Sequence, residues 1–454
     1  MTRSIFCFAV CAATVFTLGG RASALVKVPA VFASHMVLQR DVPIPVWGTA
    51  EVGEEVTVGL DGKPGEKTTA DGEGKWRVTL KPLSAGGAAH TLTVAGKGNT
   101  LSFEDVLVGE VWVGSGQSNM EWPLSATQSP AEVIAAAHHP ELRLFHVPKV
   151  QAAAPAFDVS AQWNVCTPEA VPKFSGVLYY FGAQLQRELK VPVGLINSSW
   201  GGSPIEPWTV HEGVSGGMYN GMIAPLIPFP VRGILWYQGE TNVLKKNGFD
   251  YLTKMENLIG GWRKAWGSAE MPFYFVQIAP WKGKYEEEEL PKLWEAQVAA
   301  LKLPRTGMAV TTDLVDNIMD IHPKNKKDVA HRLARWALAR DYQRPGVVVS
   351  GPLFKEQKVE GSKIRLKFAH TGAGLKARDG KPLSDFEVAG VDGAYVPAQA
   401  VIEGAEVVVS AEGVNAPKSV RFGWSNVAQP NLANSEDLPA SPFRSDNWRG
   451  GTAE

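Results

Sequence analysis

The stretch Asp105-Val106-Leu107-Val108-Gly109-Glu110-Val111-Trp112-Val113-Gly114-Ser115-Gly116-Gln117-Ser118-Asn119-Met120 decides the fold of this chain. Its first part is mostly apolar and β-branched, which predicts a buried strand over Val106–Val113. Gly114 and Gly116 interrupt that strand, so Ser118 is expected just past its carboxyl end, where ligands bind in open α/β sheets. A serine there can expose its hydroxyl and direct its own backbone N–H at an oxyanion. We predict a nucleophile, with an ordinary Gly-Ser turn as the alternative.

Around this strand, predicted strands and helices alternate from residue 106 to about residue 345. The further strands are Val193–Asn197, Gly233–Tyr237, Phe273–Ile278 and Met308–Thr312. The helices are Pro130–Ala137, Gly176–Leu189, Tyr251–Trp266, Leu290–Leu301 and Lys324–Arg340. This alternation predicts the α/β class, with a parallel sheet and helices on both of its faces.

Two β regions are predicted to flank this central domain of residues 106–345. Residues 25–105 contain several short strands with Asp-Gly turns, which is typical of a small β-sandwich. Residues 346–454 return to short strands and form a C-terminal β region. Residues 1–24 have a basic start, an apolar middle and a small-residue cleavage pattern, so we interpret them as a signal peptide.

The composition excludes several classes of function. The chain has 454 residues and a net charge of −1, so nothing directs it toward nucleic acid. Beyond the signal peptide no apolar stretch is long enough to span a bilayer, and we expect an exported protein, periplasmic or extracellular. Cys166 is the sole cysteine after residue 24, which excludes a cysteine-based metal site, and we expect neither metal nor cofactor.

One of the nine histidines has the setting of a catalytic base. His322 follows a predicted strand and precedes a helix, so it is expected at the same sheet edge as Ser118. Asp320, two residues earlier, can orient the imidazole and raise its pKa. A loop histidine beside an ordinary helix start is the alternative.

Two further strand ends offer donors for an oxyanion. A glycine pair, Gly201 and Gly202, follows one strand, and glycine lets a backbone N–H approach a substrate closely. Gln238 ends another strand and can donate its side-chain amide. Each stretch is also consistent with a strand-to-helix turn.

At these four stretches the sequence resembles the SGNH hydrolases, and within them the bacterial sialate O-acetylesterase-like family. The matching motifs are Gly116-Gln117-Ser118-Asn119-Met120, Trp236-Tyr237-Gln238-Gly239-Glu240 and Asp320-Ile321-His322-Pro323. The resemblance extends to Met36-Val37-Leu38-Gln39-Arg40 near the start, and it implies an SGNH-type three-layer fold.

The resemblance assigns Ser118 as nucleophile and first oxyanion donor, Gly201 or Gly202 as glycine donor, Gln238 as a further donor and His322 as base. SGNH enzymes commonly place the aspartate three residues before the histidine, where this chain has Met319. Asp320 is therefore predicted as the third residue, with Asp316 and Glu240 as alternatives. Other residues of the motifs are expected to contact substrate: Gln117, Asn119, Trp200, Trp236 and Glu240.

The predicted function is a serine esterase that removes O-acetyl groups from a sugar, with sialic acid implied by the resemblance alone. The same chemistry would serve a deacetylase of acetylxylan or another polysaccharide. A catalytically dead carbohydrate-binding protein is the alternative from another class, suggested by the flanking β regions.

Overall fold

The N-terminal β region leads directly into the central sheet. The computed structural model describes residues 25–446, so the predicted signal peptide lies outside the described residues. The first strands are β1 (Val37–Gln39), β2 (Ile44–Thr49), β3 (Glu55–Leu60), β4 (Glu66–Thr69), β5 (Lys75–Leu80), β6 (His90–Ala95) and β7 (Thr100–Gly116). Strand β2 pairs with β5, while β3 pairs with β4 and β6, and β6 pairs with the first part of β7.

Strand β7 is 17 residues long and belongs to both regions. Its first part is antiparallel to β6, and its second part is parallel to strands of the central sheet. The boundary proposed between residues 105 and 106 falls inside this strand. One hydrophobic core runs from Val26 to Val349, so the N-terminal β region packs on the central domain.

The central domain consists of a mostly parallel sheet and seven α-helices within the described residues. Its further strands are β8 (His139–His146), β9 (Trp163–Cys166), β10 (Val193–Ser199), β11 (Val210–His211), β12 (Val214–Ser215), β13 (Gly233–Tyr237), β14 (Phe273–Val276) and β15 (Thr306–Ala309). Its helices are α1 (Ser118–Glu121), α2 (Pro130–Ala135), α3 (Gly176–Leu189), α4 (Glu240–Leu244), α5 (Tyr251–Trp266), α6 (Glu289–Ala299) and α7 (Lys326–Arg340).

The sheet order is β15-β14-β13-β7-β10-β8-β9, with β7 at its centre. Among these seven described strands, β9 alone runs antiparallel to its neighbour in the order, β8. Strands β8 and β9 were not predicted. In β8 the apolar run is interrupted by a buried Arg143, which pairs with Asp105 at 2.6 Å. The polar strand ends of β7, β10 and β13 meet at one edge of the sheet, because these strands are parallel.

Helices cover both faces of the sheet, as predicted. Phe273 and Tyr274 are consecutive in β14, so their side chains point to opposite faces. The Phe273 ring packs on Trp262 of α5, and the Tyr274 ring packs on Trp336 of α7. The predicted α/β class with helices on both faces is confirmed.

The C-terminal β region has a separate core, which includes Ile364, Val409 and Phe422. Its strands are β16 (Leu353–Glu360), β17 (Lys363–Ala369), β18 (Leu375–Ala377), β19 (Phe386–Ala389), β20 (Tyr395–Pro397), β21 (Gln399–Glu403), β22 (Glu406–Ser410), β23 (Ser419–Phe422), β24 (Leu432–Asn434) and β25 (Phe443–Arg444). A hydrogen bond of 2.9 Å from Gln277 to Ser441 joins it to the central domain. Between residues 25 and 446, no helix has the length and apolar character needed to cross a membrane.

Candidate active site

The serine turn depends on a glycine that ends β7. Gly116 has a φ of +130°, a value that L side chains rarely adopt, and a Cβ there would lie 2.2 Å from the carbonyl oxygen of Tyr237. The next N–H, that of Gln117, donates to this same carbonyl at 3.0 Å. The chain can therefore turn against the end of β13 and place Ser118, half-buried, at the first position of α1.

His322 lies on the loop between β15 and α7 and reaches Ser118 across the sheet edge. Its Nε2 is 2.9 Å from the Ser118 Oγ, although 204 residues separate the two in sequence. The imidazole stacks on the indole of Trp122, with ring centroids 4.6 Å apart and planes at 18°. A hydroxyl and an imidazole at this distance can transfer a proton as nucleophile and base do.

Asp320 is the carboxylate nearest to the imidazole among the three candidates. Its Oδ1 lies 3.6 Å from Nδ1 of His322 and accepts the backbone N–H of His322 at 2.9 Å. The longer contact is an ion-pair distance, and such contacts often tighten when substrate binds. Asp316 is exposed, Glu240 is buried beside Asn119, and within residues 25–446 neither bonds to His322.

Burial and the nearby Lys326 ammonium lower the pKa of His322 below its ordinary value of 6.5. The Asp320 carboxylate acts in the opposite direction but is outweighed. The sequence predicted an upward shift of this pKa from a carboxylate partner, and it accounted neither for burial, the larger cause, nor for Lys326. A lowered pKa keeps the imidazole neutral, and able to accept a proton, at mildly acidic pH.

The two glycines differ in their distance from the serine. A Cβ built on Gly201 would lie 3.4 Å from the Ser118 Cβ, whereas one on Gly202 would meet no atom within 4 Å. Gly201 is thus the glycine beside the nucleophile. Its N–H donates to the Glu121 carboxylate at 2.6 Å, and the other oxygen of Glu121 pairs with Lys149 at 2.5 Å.

The side-chain amide of Gln238 is fully buried and bonded within the protein, and among the described residues it makes no hydrogen bond to Ser118. Its Nε2 contacts three acceptors at 2.7 to 3.2 Å: the side chains of Gln117 and Asn242 and the carbonyl of Ser203. Its Oε1 accepts the Tyr251 hydroxyl at 2.6 Å. A fully buried amide with these partners ties the end of β13 to the neighbouring loop.

Four of the five side chains expected to contact substrate are buried in the protein. Gln117 accepts from the amide of Gln238, while Asn119 and Glu240 bond to each other. The ring of Trp236 lies in the core between Trp208 and Trp262. The burial of these four side chains argues against the expected contact with substrate.

Trp200 is half-buried, and its N–H donates to the carbonyl of Gly116 at 2.9 Å. This places it beside the serine turn, and its role as a substrate contact stays a prediction. Sequence reasoning did not identify the neighbours Glu121 and Lys326. Lys326 follows His322 by four residues, but His322 lies on the loop before α7, so no helical spacing in the sequence signals that the two are close.

Among residues 25–446 there is no cluster of three or more histidine, cysteine or acidic side chains able to hold a metal ion. Cys166 is buried as a free thiol, and burial raises its pKa to about 12. It is not a competing nucleophile, because the reactive species of cysteine is the thiolate.

Comparisons with known proteins agree with this geometry. The family described as "Carbohydrate esterase, sialic acid-specific acetylesterase" matches residues 108–339, just over half of the chain. Human sialate O-acetylesterase is 32% identical over 396 residues, which cover 72% of this chain and 74% of that protein. The rat sialate O-acetylesterase is 29% identical over 406 residues, covering 71% and 75%. The structure of a carbohydrate acetylesterase from Xanthomonas citri has a TM-score of 0.89 and 40% identity, covering 93% of this chain and 100% of that one.

Proposed function

The chain belongs to the carbohydrate esterase family of sialic acid-specific acetylesterases, and we propose that its substrate is an O-acetylated sialic acid. It is a carboxylic ester hydrolase that acts on O-acetyl groups of sugars. The observation that carries the proposed mechanism is the 2.9 Å contact between the Ser118 Oγ and the His322 Nε2. The preference for sialic acid is supported by the relatives.

In the proposed first step, His322 takes the proton of the Ser118 hydroxyl while the Oγ attacks the acetyl carbonyl. The resulting oxyanion accepts hydrogen bonds from the N–H groups of Ser118 and Gly201. Ser118 begins α1, where an α-helix leaves its N–H groups without an intrahelical partner. Gly201 lies beside it, so the two donors converge once Glu121 releases the Gly201 N–H.

The tetrahedral intermediate then expels the sugar oxygen, which takes the proton from His322, and an acetyl-enzyme remains. His322 next removes a proton from water, the hydroxide attacks the acetyl carbon, and acetate leaves as the Ser118 Oγ regains a proton. Asp320 holds the imidazole in the productive orientation and stabilises its protonated form.

Replacing the nucleophile tests the mechanism. We expect Ser118→Ala to lose several orders of magnitude in nitrophenyl acetate hydrolysis, as nucleophile removal does elsewhere. Ser125→Ala is a matched control, because Ser125 is exposed seven positions later in the chain. Retention of more than about a tenth of the activity in Ser118→Ala would rule Ser118 out. No release of nitrophenol by the unchanged protein would favour a carbohydrate-binding protein instead.

Acetate release from O-acetylated sialic acids and from acetylated xylan oligomers tests the substrate. We expect sialic acids to give the higher kcat/KM. Faster release from xylan would overturn the substrate proposal while leaving the esterase mechanism in place.

We also propose that the protein is exported, on the basis of the signal-peptide pattern in residues 1–24. Detection of the uncleaved chain in the cytoplasm would contradict this proposal.

A further inference from the structure

A fully buried lysine lies next to the candidate site. Lys326, in the first turn of α7, has no exposed surface. Its Nζ donates to Oδ1 of Asn119 at 2.5 Å and lies 5.4 Å from the ring centroid of Tyr237 and 5.8 Å from that of Trp122. Burying an ammonium group costs free energy unless the group is paired, so we expect a lysine in this position to have a function.

Asn119 connects this lysine to both sides of the site. Its Nδ2 donates to Oε1 of Glu240 at 2.5 Å and to the carbonyl of Ile321 at 3.1 Å. Asn119 follows the proposed nucleophile directly, and Ile321 precedes the proposed base. One amide therefore links the serine turn to the histidine loop, and Lys326 and Glu240 hold that amide at its two ends.

We infer that Lys326 is a positioning residue for the proposed esterase reaction. Through Asn119 it holds the histidine loop against the serine turn, and it presents a cation to His322 from inside the protein. The Glu240 carboxyl group is the other end of the same chain of hydrogen bonds. Burial raises its pKa, and its second oxygen, Oε2, is buried without a hydrogen-bond partner within the described residues. The inference rests on the proposed function, because it assigns a role relative to Ser118 and His322.

The charges around Lys326 agree with this role. Burial lowers the pKa of Lys326 to about 7, and the carboxylates of Glu240, Asp320 and Asp316 oppose that shift. Below pH 7 Lys326 is mostly protonated. His322 titrates within this range, because its pKa lies below 6.5. Burial first and Lys326 second lower the pKa of His322, whereas Asp320 raises it. The cation therefore favours the neutral imidazole that accepts the serine proton.

The test compares pH profiles of kcat/KM for nitrophenyl acetate in variants at neighbouring lysines. Lys326→Met removes the charge and keeps the length of the side chain, and Lys327→Met is the control because Lys327 is exposed on the same helical turn. The acid-limb midpoint is the pH at which kcat/KM reaches half of its plateau on the acidic side of the profile. We expect this midpoint to rise by about half a pH unit or more in Lys326→Met. The midpoint of Lys327→Met should stay at the value of the unchanged protein.

The double variant Lys326→Met/Glu240→Gln is a second test in case Lys326→Met alone fails to fold. It leaves no unpaired charge at either end of Asn119. Its midpoint should also move upward, because Lys326 influences His322 more than Glu240 does. The inference would be overturned by an unchanged midpoint in a folded Lys326→Met or in the folded double variant. It would also be overturned if the single and double variants both failed to fold while Lys327→Met folded. Ser118→Ala distinguishes failure of the proposed mechanism from failure of the Lys326 inference. If Ser118→Ala keeps its turnover, the mechanism fails. If Ser118→Ala is inactive and the pH profile of Lys326→Met is unchanged, only the role of Lys326 is refuted.

Discussion

Replacing Asp320 by asparagine distinguishes an orienting carboxylate from a loop residue that is merely adjacent. The substitution keeps the shape of the side chain and its acceptor for the backbone N–H of His322, which now lies at 2.9 Å. It removes the negative charge that lies 3.6 Å from Nδ1 of the imidazole. The expected loss therefore comes from a less stabilised imidazolium in the transition state.

The geometry sets the size of this effect. Unit charges about 4 Å apart interact by about 1 kcal/mol in water and about 4 kcal/mol near a protein surface. The side chains of Asp320 and His322 are 35% and 26% exposed, so solvent screening favours the lower half of that range. We expect a loss of about 1 to 2 kcal/mol, or roughly 5- to 30-fold in kcat/KM. This is far less than the factor of about 10⁴ measured for the buried aspartate of a serine protease.

The assay is the pH profile of kcat/KM for nitrophenyl acetate, with thermal melts to show that each variant is folded. Because Asp320 raises the pKa of His322, its removal should also move the acid-limb midpoint downward. Asp316→Asn is the matched control, since Asp316 is exposed on the same loop. A folded Asp320→Asn with near-normal turnover would refute the assignment, and a large loss in Asp316→Asn or Glu240→Gln would transfer the role to that residue.

Two further predictions concern the same site. Burial and Lys326 lower the pKa of His322 from 6.5. The kcat/KM of the unchanged protein should therefore rise with pH, pass through a midpoint below pH 6.5 and then level off. A midpoint above pH 6.5 would contradict this balance of burial and charges. Glu121→Ala frees the Gly201 N–H that the carboxylate now occupies at 2.6 Å. The kcat/KM for nitrophenyl acetate should therefore rise by at least about threefold, which corresponds to about 0.7 kcal/mol or more. Unchanged or slower hydrolysis in a folded Glu121→Ala would show that this carboxylate does not compete with the substrate oxygen.

The sequence predicted the central sheet well because its strands are apolar on both sides and its helices carry strong periodicity. The predicted strand Gly233–Tyr237 and helices Gly176–Leu189 and Tyr251–Trp266 have the bounds found in the structure. Strand β8 escaped prediction because its buried Arg143 is satisfied by Asp105, a partner 38 residues away in sequence. A pairing of that kind is decided in three dimensions.

The sequence by itself also determined which residues stand at the edge of the sheet, because glycine breakers and polar strand ends are local signals. It did not determine which way the side chains at that edge point. Gln117, Asn119, Gln238 and Glu240 all follow apolar strands or the serine, yet they turn inward and bond to one another or to neighbouring backbone.

Only the tertiary structure decided that Ser118 and His322 meet while Gln238 does not join them. It also placed Lys326 in the interior, although a lysine in the first turn of a helix is ordinarily solvated. The physical reason is that a polar side chain can turn either toward solvent or toward a buried partner. That choice depends on the hydrogen bonds and charges that distant segments bring to it.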